Sequence, residues 1–450
     1  MIKKTLALFI CIIMICCLFT GCSKKGKTII YDNGGKIIAT VTDLDSVNSE
    51  LKDGEKRFFV EYAISEAVEI IKSTNKCNDK EAKAILRKEA SIYTTLDENI
   101  LKQIKNHYND SNIGKTELGC AVTDTNGTLL AIFSNKDENY ATKKQNPHSA
   151  FKPLSVYAPA LDKGIINWST VFDDSPYKKV NTDNKGMRDW PANADGKYSM
   201  KKVCVCDAIA KSLNTVAVKV LAEYGVMNSV EFLQSNFGLS LEEELKRASV
   251  KDEDEIIGNI ALGSISEGCS PVDMAGYYQI FTNGGNYAKP HSITKITDKN
   301  GKEIFNYKQE SKRVIKETTA YIMNKMLQNV VTAVDGTGKD ARIRGALVGG
   351  KTGTGDKNDG NWFVGFTPEY VCSVWHGKGL TKNTSPAVFS AIMTAVTENS
   401  QSKTAKFPSV SGVSQQAYCK ESGKMLKYSC HTMDVGFYTA DNIPQICDIH

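Results

Sequence analysis

Three short clusters combine residue types able to break and remake an acyl bond. The first is Ser149-Ala150-Phe151-Lys152. A serine hydroxyl attacks a carbonyl only when a neighbour removes its proton, and a lysine amine can do so once burial or nearby positive charge holds it neutral. In the first turn of a helix, positions i and i+3 share one face. Ser149 and Lys152 are therefore expected to project together, with the positive helix end favouring an alkoxide. The second cluster is Ser212-Leu213-Asn214; from a turn, its hydroxyl can relay a proton and its amide can grip a peptide group. The third is Lys351-Thr352-Gly353-Thr354, which follows Gly349 and Gly350. On a strand, Lys351 and Gly353 face one way and Thr352 and Thr354 the other, and Gly353 is expected to let a ligand lie close to the backbone. Each cluster alone is unspecific: Ser-x-x-Lys recurs at Ser73, Ser175, Ser199 and Ser400, and Ser-x-Asn at Ser46. Their order and their separations of 63 and 139 residues are what single them out.

Such clusters need a scaffold. Residues 120–122 and 129–133 read as strands joined through Asn126-Gly127, a dipeptide that favours a tight hairpin. Helical patterns follow at 149–161, 202–224 and 230–237; Pro153 is tolerated in a first turn, whereas Pro159 is expected to kink the first of these helices. Residues 346–348, 362–364 and 371–375 read as strands, with a turn over 355–360 and a last helix over 386–397. Nearer the start, 29–31 and 36–39 flank Asp32-Asn33-Gly34-Gly35, a hairpin signal. A charged loop is expected over 44–56 and helical segments over 58–71 and 80–88. Strands, then helices, then strands again predict an α+β fold: an antiparallel sheet flanked by helices, with strands drawn from both ends of the chain.

The chain has 450 residues, 41% hydrophobic and 24% charged, with a formal charge of +5. That is a globular composition, and the charge is too weak to point to a nucleic-acid partner. The first residues stand apart. Lys3 and Lys4 precede an apolar run of 14 residues, 6–19, too short for a confident spanning helix, and Thr20-Gly21-Cys22 follows. This layout reads as a secretory signal. Four of the 13 cysteines lie in this region. Of the remainder, Cys77, Cys120, Cys269 and Cys372 read as core residues. Cys204 and Cys206 are expected on opposite aspects of a helix. Cys419, Cys430, Cys447 and His450 could bind zinc, form a disulfide or stay free; the sequence assigns none of them as a metal ligand.

Taken together, the three clusters resemble the signature of penicillin-binding proteins and class A β-lactamases, and the wider sequence resembles the transpeptidase domain of class A penicillin-binding proteins. Ser149-Ala150-Phe151-Lys152-Pro153-Leu154 resembles the family's nucleophile helix. Trp190-Pro191-Ala192-Asn193, Ala261-Leu262-Gly263-Ser264, Phe281-Thr282-Asn283-Gly284-Gly285, Gly336-Thr337-Gly338 and 361–368 resemble its further landmarks, and Tyr93-Thr94-Thr95-Leu96-Asp97 its entry. The resemblance covers roughly 57–450.

It implies a serine β-lactamase/transpeptidase-like fold and a D,D-transpeptidase acting on peptidoglycan stem peptides that end in D-Ala-D-Ala, without cofactor. Ser149, Lys152, Ser212 and Lys351 would be catalytic. Asn214, Thr352, Gly353 and Thr354 would bind substrate, and the N–H groups of Ser149 and Thr354 would form the oxyanion hole. β-Lactams would acylate Ser149. A D,D-carboxypeptidase and a non-catalytic β-lactam sensor or scaffold are the alternative readings. Phe19-Thr20-Gly21-Cys22 resembles a lipobox, which implies a lipid on Cys22 and a membrane-anchored, extracytoplasmic chain. The expected layout is a signal peptide over 1–21, a tether over 22–56, an entry segment over 57–97, the transpeptidase over 98–410 and a cysteine-containing tail over 411–450. The 22–56 span is too short for the family's glycosyltransferase domain, so a separate glycosyltransferase is expected as partner.

Overall fold

The hairpin expected around Asn126-Gly127 opens the central sheet of the larger of two units. Leu118–Asp124 pairs antiparallel with Leu129–Ser134, and the Asp124 carboxylate accepts from the N–H groups of Asn126 and Thr128, each at 2.8 Å. The computed structural model describes residues 26–47, 51, 54–110, 116–181, 186–250, 253–355, 360–377, 384–398 and 405–450. The leader, Cys22, the Ser400 pair and most of the 355–360 turn lie outside the described residues.

Three strands from late in the chain complete this sheet. Tyr370–His376 pairs with Leu118–Asp124, Asn361–Phe366 pairs with Tyr370–His376, and Gly349–Thr354 lies at the edge; every pairing is antiparallel. Both ends of the chain thus build one sheet, as the order of patterns predicts. Its central strands are buried almost throughout, so both faces are covered. Helices Pro271–Tyr278, Ser385–Glu398 and Glu98–Asp110 pack on the sheet, giving the expected α+β architecture. The edge strand starts at Gly349, not within 346–348. Those residues follow a turn closed by the Ala346 N–H donating to Ile343 O at 3.3 Å, and Leu347 is exposed. Glycine is required where the strand begins: a β-carbon on Gly349 would lie 2.6 Å from the Phe366 ring, and one on Gly350 2.6 Å from that of Phe363.

The segment after Pro147 is not one helix. A 3-10 turn spans His148–Phe151, a π turn Pro153–Tyr157 and a short α-helix Ala158–Asp162. Proline explains the break. Pro159 has no N–H for the carbonyl of Ser155, and the Ser229 hydroxyl takes that place, donating to Ser155 O at 2.6 Å. The pattern over 202–224 divides as well, into a strand Lys202–Cys204 and helices Val205–Lys211 and Asn214–Tyr224. Cys204 ends the strand and Cys206 lies in the following helix, so the two do not share one helix as expected; both are buried. Cys120, Cys269 and Cys372 are core residues as expected, whereas Cys77 is only half-buried.

The smaller unit comprises the described residues up to Thr94 together with Ile293–Tyr307. Its sheet runs Glu303–Asn306, Ile293–Thr297, Ser91–Thr94, Thr28–Tyr31, Ile37–Val41. Helix Gly54–Asn75 contributes buried Val60, Ala63, Ile64, Ala67, Val68 and Ile71 at helical spacing. The hairpin read at 29–39 is therefore integral to a sheet rather than to a tether, and residues 293–307 belong with it. No helix among the described residues is long and apolar enough to cross a membrane.

Candidate active site

Ser149 sits in the 3-10 turn, where positions i and i+3 eclipse, and Lys152 caps that turn with its N–H on Ser149 O. Backbone contacts from distant segments hold the turn. The His148 N–H donates to Gly263 O at 3.1 Å, and the Trp362 indole donates to Asn146 O at 2.8 Å. Gly263 and Gly353 are tailored to this packing: a β-carbon on Gly263 would lie 2.1 Å from His148 O, and one on Gly353 2.5 Å from Pro147 O. The space beside Gly353 where a β-carbon would stand is therefore filled by the backbone of the Pro147–Ala150 turn.

Ser212 ends helix Val205–Lys211 in the left-handed region, with φ 61° and ψ 35°. For a residue with a β-carbon this costs roughly 1–2 kcal/mol. The reward is position: Ser212 faces two lysines. Lys152 Nζ donates to Ser212 O at 2.9 Å and to Asn214 Oδ1 at 2.6 Å, and Lys351 Nζ donates to Ser212 Oγ at 2.7 Å and to Thr352 O at 3.1 Å. The three clusters thus converge. One expected contact differs: the Lys152 amine is bonded to the Ser212-Leu213-Asn214 cluster, and no hydrogen bond joins it to Ser149 among the described residues.

Both lysines are fully buried. Burial lowers the Lys152 amine well below the usual lysine range, and the neighbouring Lys351 adds to this. Burial brings Lys351 down to about 7. A neutral amine has two N–H donors and one lone pair; Lys152 places both donors on Ser212 O and Asn214 Oδ1, so the lone pair is left to take a proton.

Ser149, Asn214, Ser264 and Thr354 line a cleft of about 720 Å³, with Tyr140 and Trp375 stacked at 5.2 Å in its wall. Thr354 is exposed and Thr352 half-buried, the alternation predicted for this strand.

Sequence reasoning assigned no role to the supports, although Asn193 and Thr337 lie within landmarks it named. The N–H groups of Asn214 and Thr215 donate to Asn193 Oδ1 at 2.9 and 3.4 Å, a cap supplied from another segment. Asn193 Nδ2 and Thr215 Oγ1 in turn donate to Asp174 Oδ1 at 2.8 and 2.7 Å. Burial alone would raise the Asp174 pKa; hydrogen bonds from Thr215, Ser199 and Asn193 outweigh it and hold the carboxyl below its usual value. Nothing local marks Asp174. Thr337 Oγ1 accepts from Thr352 Oγ1 at 2.8 Å, and its place within Gly336-Thr337-Gly338 was the available signal. Apart from the cleft, Cys419, Cys430, Cys447 and His450 converge, their ligand atoms all within 4.8 Å of one another; none of the nine described cysteines is in a disulfide.

Ser149 and two buried lysines thus lie beside the edge strand of an antiparallel sheet. The profile of the penicillin-binding protein transpeptidase domain matches residues 118–394, and the chain belongs to that family. It is 31% identical over 340 residues to penicillin-binding protein 1A of Clostridium acetobutylicum, covering 70% of this chain and 40% of that protein. It is 32% identical over 316 residues to penicillin-binding protein 1A/1B of Bacillus subtilis, covering 64% and 32% respectively. The chain thus spans less than half the length of these relatives. The D,D-transpeptidase domain of the peptidoglycan glycosyltransferase from Eggerthella lenta shares the fold at a TM-score of 0.63 and 18% identity, over 83% of this chain and 99% of that one. So does PonA1 from Mycobacterium tuberculosis in complex with penicillin V, at 0.62 and 18%, over 78% and 95%.

Proposed function

We propose that this chain is a D,D-transpeptidase that cross-links peptidoglycan stem peptides through an acyl-enzyme on Ser149. The observation that carries this reading is the bonding of Lys152 to Ser212 and Asn214, and of Lys351 to Ser212, beside a cleft lined by Ser149 and Thr354. An extended peptide lies along the Gly349–Thr354 edge, as strands added to an open sheet edge do, held by Asn214 and, at its terminal carboxylate, by Thr352 and Thr354. Neutral Lys152 takes the Ser149 proton as Oγ bonds to the penultimate carbonyl carbon. The N–H groups of Ser149 and Thr354 hold the oxyanion, each such donor being worth roughly 2.7–4 kcal/mol. As the C–N bond breaks, Ser212 gives its proton to the departing D-Ala amine and takes one from Lys351, whose Nζ is bonded to its oxygen; the proton held by Lys152 then restores Lys351, and Lys152 is neutral again. An acceptor amine attacks the acyl carbon and gives a proton to Lys152, which passes it to Ser149 Oγ as the acyl–oxygen bond breaks.

A β-lactam presents a similar amide and leaves Ser149 acylated. Fluorescent penicillin should label the wild-type chain and spare Ser149→Ala; equal labelling of both would defeat the assignment. Products formed from a D-Ala-D-Ala peptide with an acceptor amine decide between cross-linking and hydrolysis, and hydrolysis alone would favour the carboxypeptidase. The reading extends to a chain anchored on the extracytoplasmic face through lipid on Cys22; release of Cys22→Ala from the membrane fraction would support the anchor, and its retention there would refute it.

A further inference from the structure

The tail after the last sheet helix has its own small framework. Strands Val413–Cys419 and Met433–Thr439 form an antiparallel pair. Met425 bridges Tyr418 on one side and Ile446 on the other. This layering brings Cys419, at the end of one strand, beside Cys430 from the connecting loop and Cys447 and His450 from the segment beyond Ile446. Cys419 and Cys447 are buried, and Cys430 and His450 are half-buried.

The spacing of the ligand atoms is informative. His450 Nδ1 lies 3.5 Å from Cys419 Sγ and 3.6 Å from Cys447 Sγ. Zinc bonds of about 2.3 Å to sulfur and about 2.0–2.1 Å to nitrogen, set at tetrahedral angles, give sulfur–nitrogen edges of about 3.6 Å. The surroundings suit a metal as well. His450 Nε2 lies 3.2 Å from Glu421 Oε2. A carboxylate there keeps the proton on Nε2 and leaves the Nδ1 lone pair facing the sulfurs, the arrangement that orients metal-bound histidines. The Ser422 hydroxyl donates to Cys447 Sγ at 3.3 Å, and the Lys427 N–H to Cys430 Sγ at 3.4 Å. Such donors stabilise thiolates.

We infer that Cys419, Cys430, Cys447 and His450 form a structural zinc site, closed by three thiolates and one imidazole, with Glu421 orienting the histidine. Binding converts three thiols to thiolates and releases three protons. Four protein ligands leave no open position for chemistry. What the ion does is pin the tail. The loop carrying Glu421 also carries Gly423, whose carbonyl accepts from the Ser169 hydroxyl at 2.5 Å, and Tyr418 meets Cys204 at 3.5 Å. Cys204 caps the helix that ends in Ser212, so the tail braces the element that presents one of the catalytic candidates. The inference rests on the tail alone and does not depend on the proposed function.

The full chain, purified without chelator, should contain one zinc per chain by elemental mass spectrometry. Replacing zinc with cobalt should give the intense visible bands of a tetrahedral ion with thiolate charge transfer. Cys430→Ser should lower zinc affinity at least tenfold and Glu421→Gln by roughly 10–100-fold, while Cys77→Ser, in the other unit, should keep full zinc content. If Cys430→Ser fails to fold, the metal content and cobalt spectrum of the wild type still decide the matter. A metal-free wild type with two tail cysteines joined, or three tail thiols that alkylate at the same rate with and without zinc, would overturn the inference.

Discussion

Lys152 and Lys351 are fully buried and bonded to neutral oxygens, whereas the tail gathers four ligand atoms within 4.8 Å of one another. Both regions collect polar groups from distant positions, but they balance them differently. In the cleft, burial pulls both lysines below their usual range, and hydroxyl, amide and carbonyl oxygens accept from their N–H groups. In the tail, three sulfurs and an imidazole face one another, and a cation is what such donors can share. The contrast shows how a fold can spend desolvation on reactivity in one place and on cohesion in another.

The sharpest break of the comparison is Ser149→Ala. It should abolish covalent labelling by penicillin, a loss beyond about 10³-fold in acylation rate, and leave zinc content untouched; loss of both would mean that the two regions are not independent.

Lys351→Met comes next, slowing acylation by about 10²–10⁴-fold. Its sign is also testable by pH. Lys351 lowers Lys152 through its positive charge, so removing it should move the acidic limb of the acylation profile to higher pH. Stability should respond as well. An unfolded lysine titrates near about 10.4, and the folded Lys351 near about 7. Between these values the unfolded chain binds the extra proton, so stability rises with pH across that window. Lys351→Met should flatten the rise by at most roughly 5 kcal/mol, read as the difference between the two chains in melting temperature against pH.

Gly353→Ala should destabilise by about 1–3 kcal/mol and slow acylation, because its β-carbon displaces the Ser149 turn; an unchanged acylation rate would count against that coupling. The smallest effect belongs to Ser229→Ala, which leaves the Ser155 carbonyl without its donor, at about 1–3 kcal/mol. Urea unfolding measures it, and acylation of the folded variant should stay within a few-fold of wild type.

Much of this was legible before any coordinates. The sheet strands run apolar because they are buried on both faces, and Asn126-Gly127 names its own turn. The three clusters were legible only jointly, since each recurs by chance. Other features depend on partners that no local pattern names. Asp174 looks like any loop aspartate until Asn193 and Thr215 close on it. The pairing of Ile293–Thr297 with Ser91–Thr94 joins residues about two hundred positions apart. The strand at Lys202–Cys204 was hidden in a helical pattern because Val171–Asp173, which pairs with it, lies far upstream. The broken helix after Ser149 was half legible: Pro159 predicts a break, but not the Ser229 hydroxyl that repairs it.

The contact between Gly353 and the Pro147 carbonyl has an evolutionary side. A chain under pressure from an inhibitor that acylates its serine can fill the rim of the cleft or lengthen a nearby loop. A side chain at Gly353 would displace the turn that carries Ser149, so, under the proposed function, variants selected by such a drug should accumulate elsewhere.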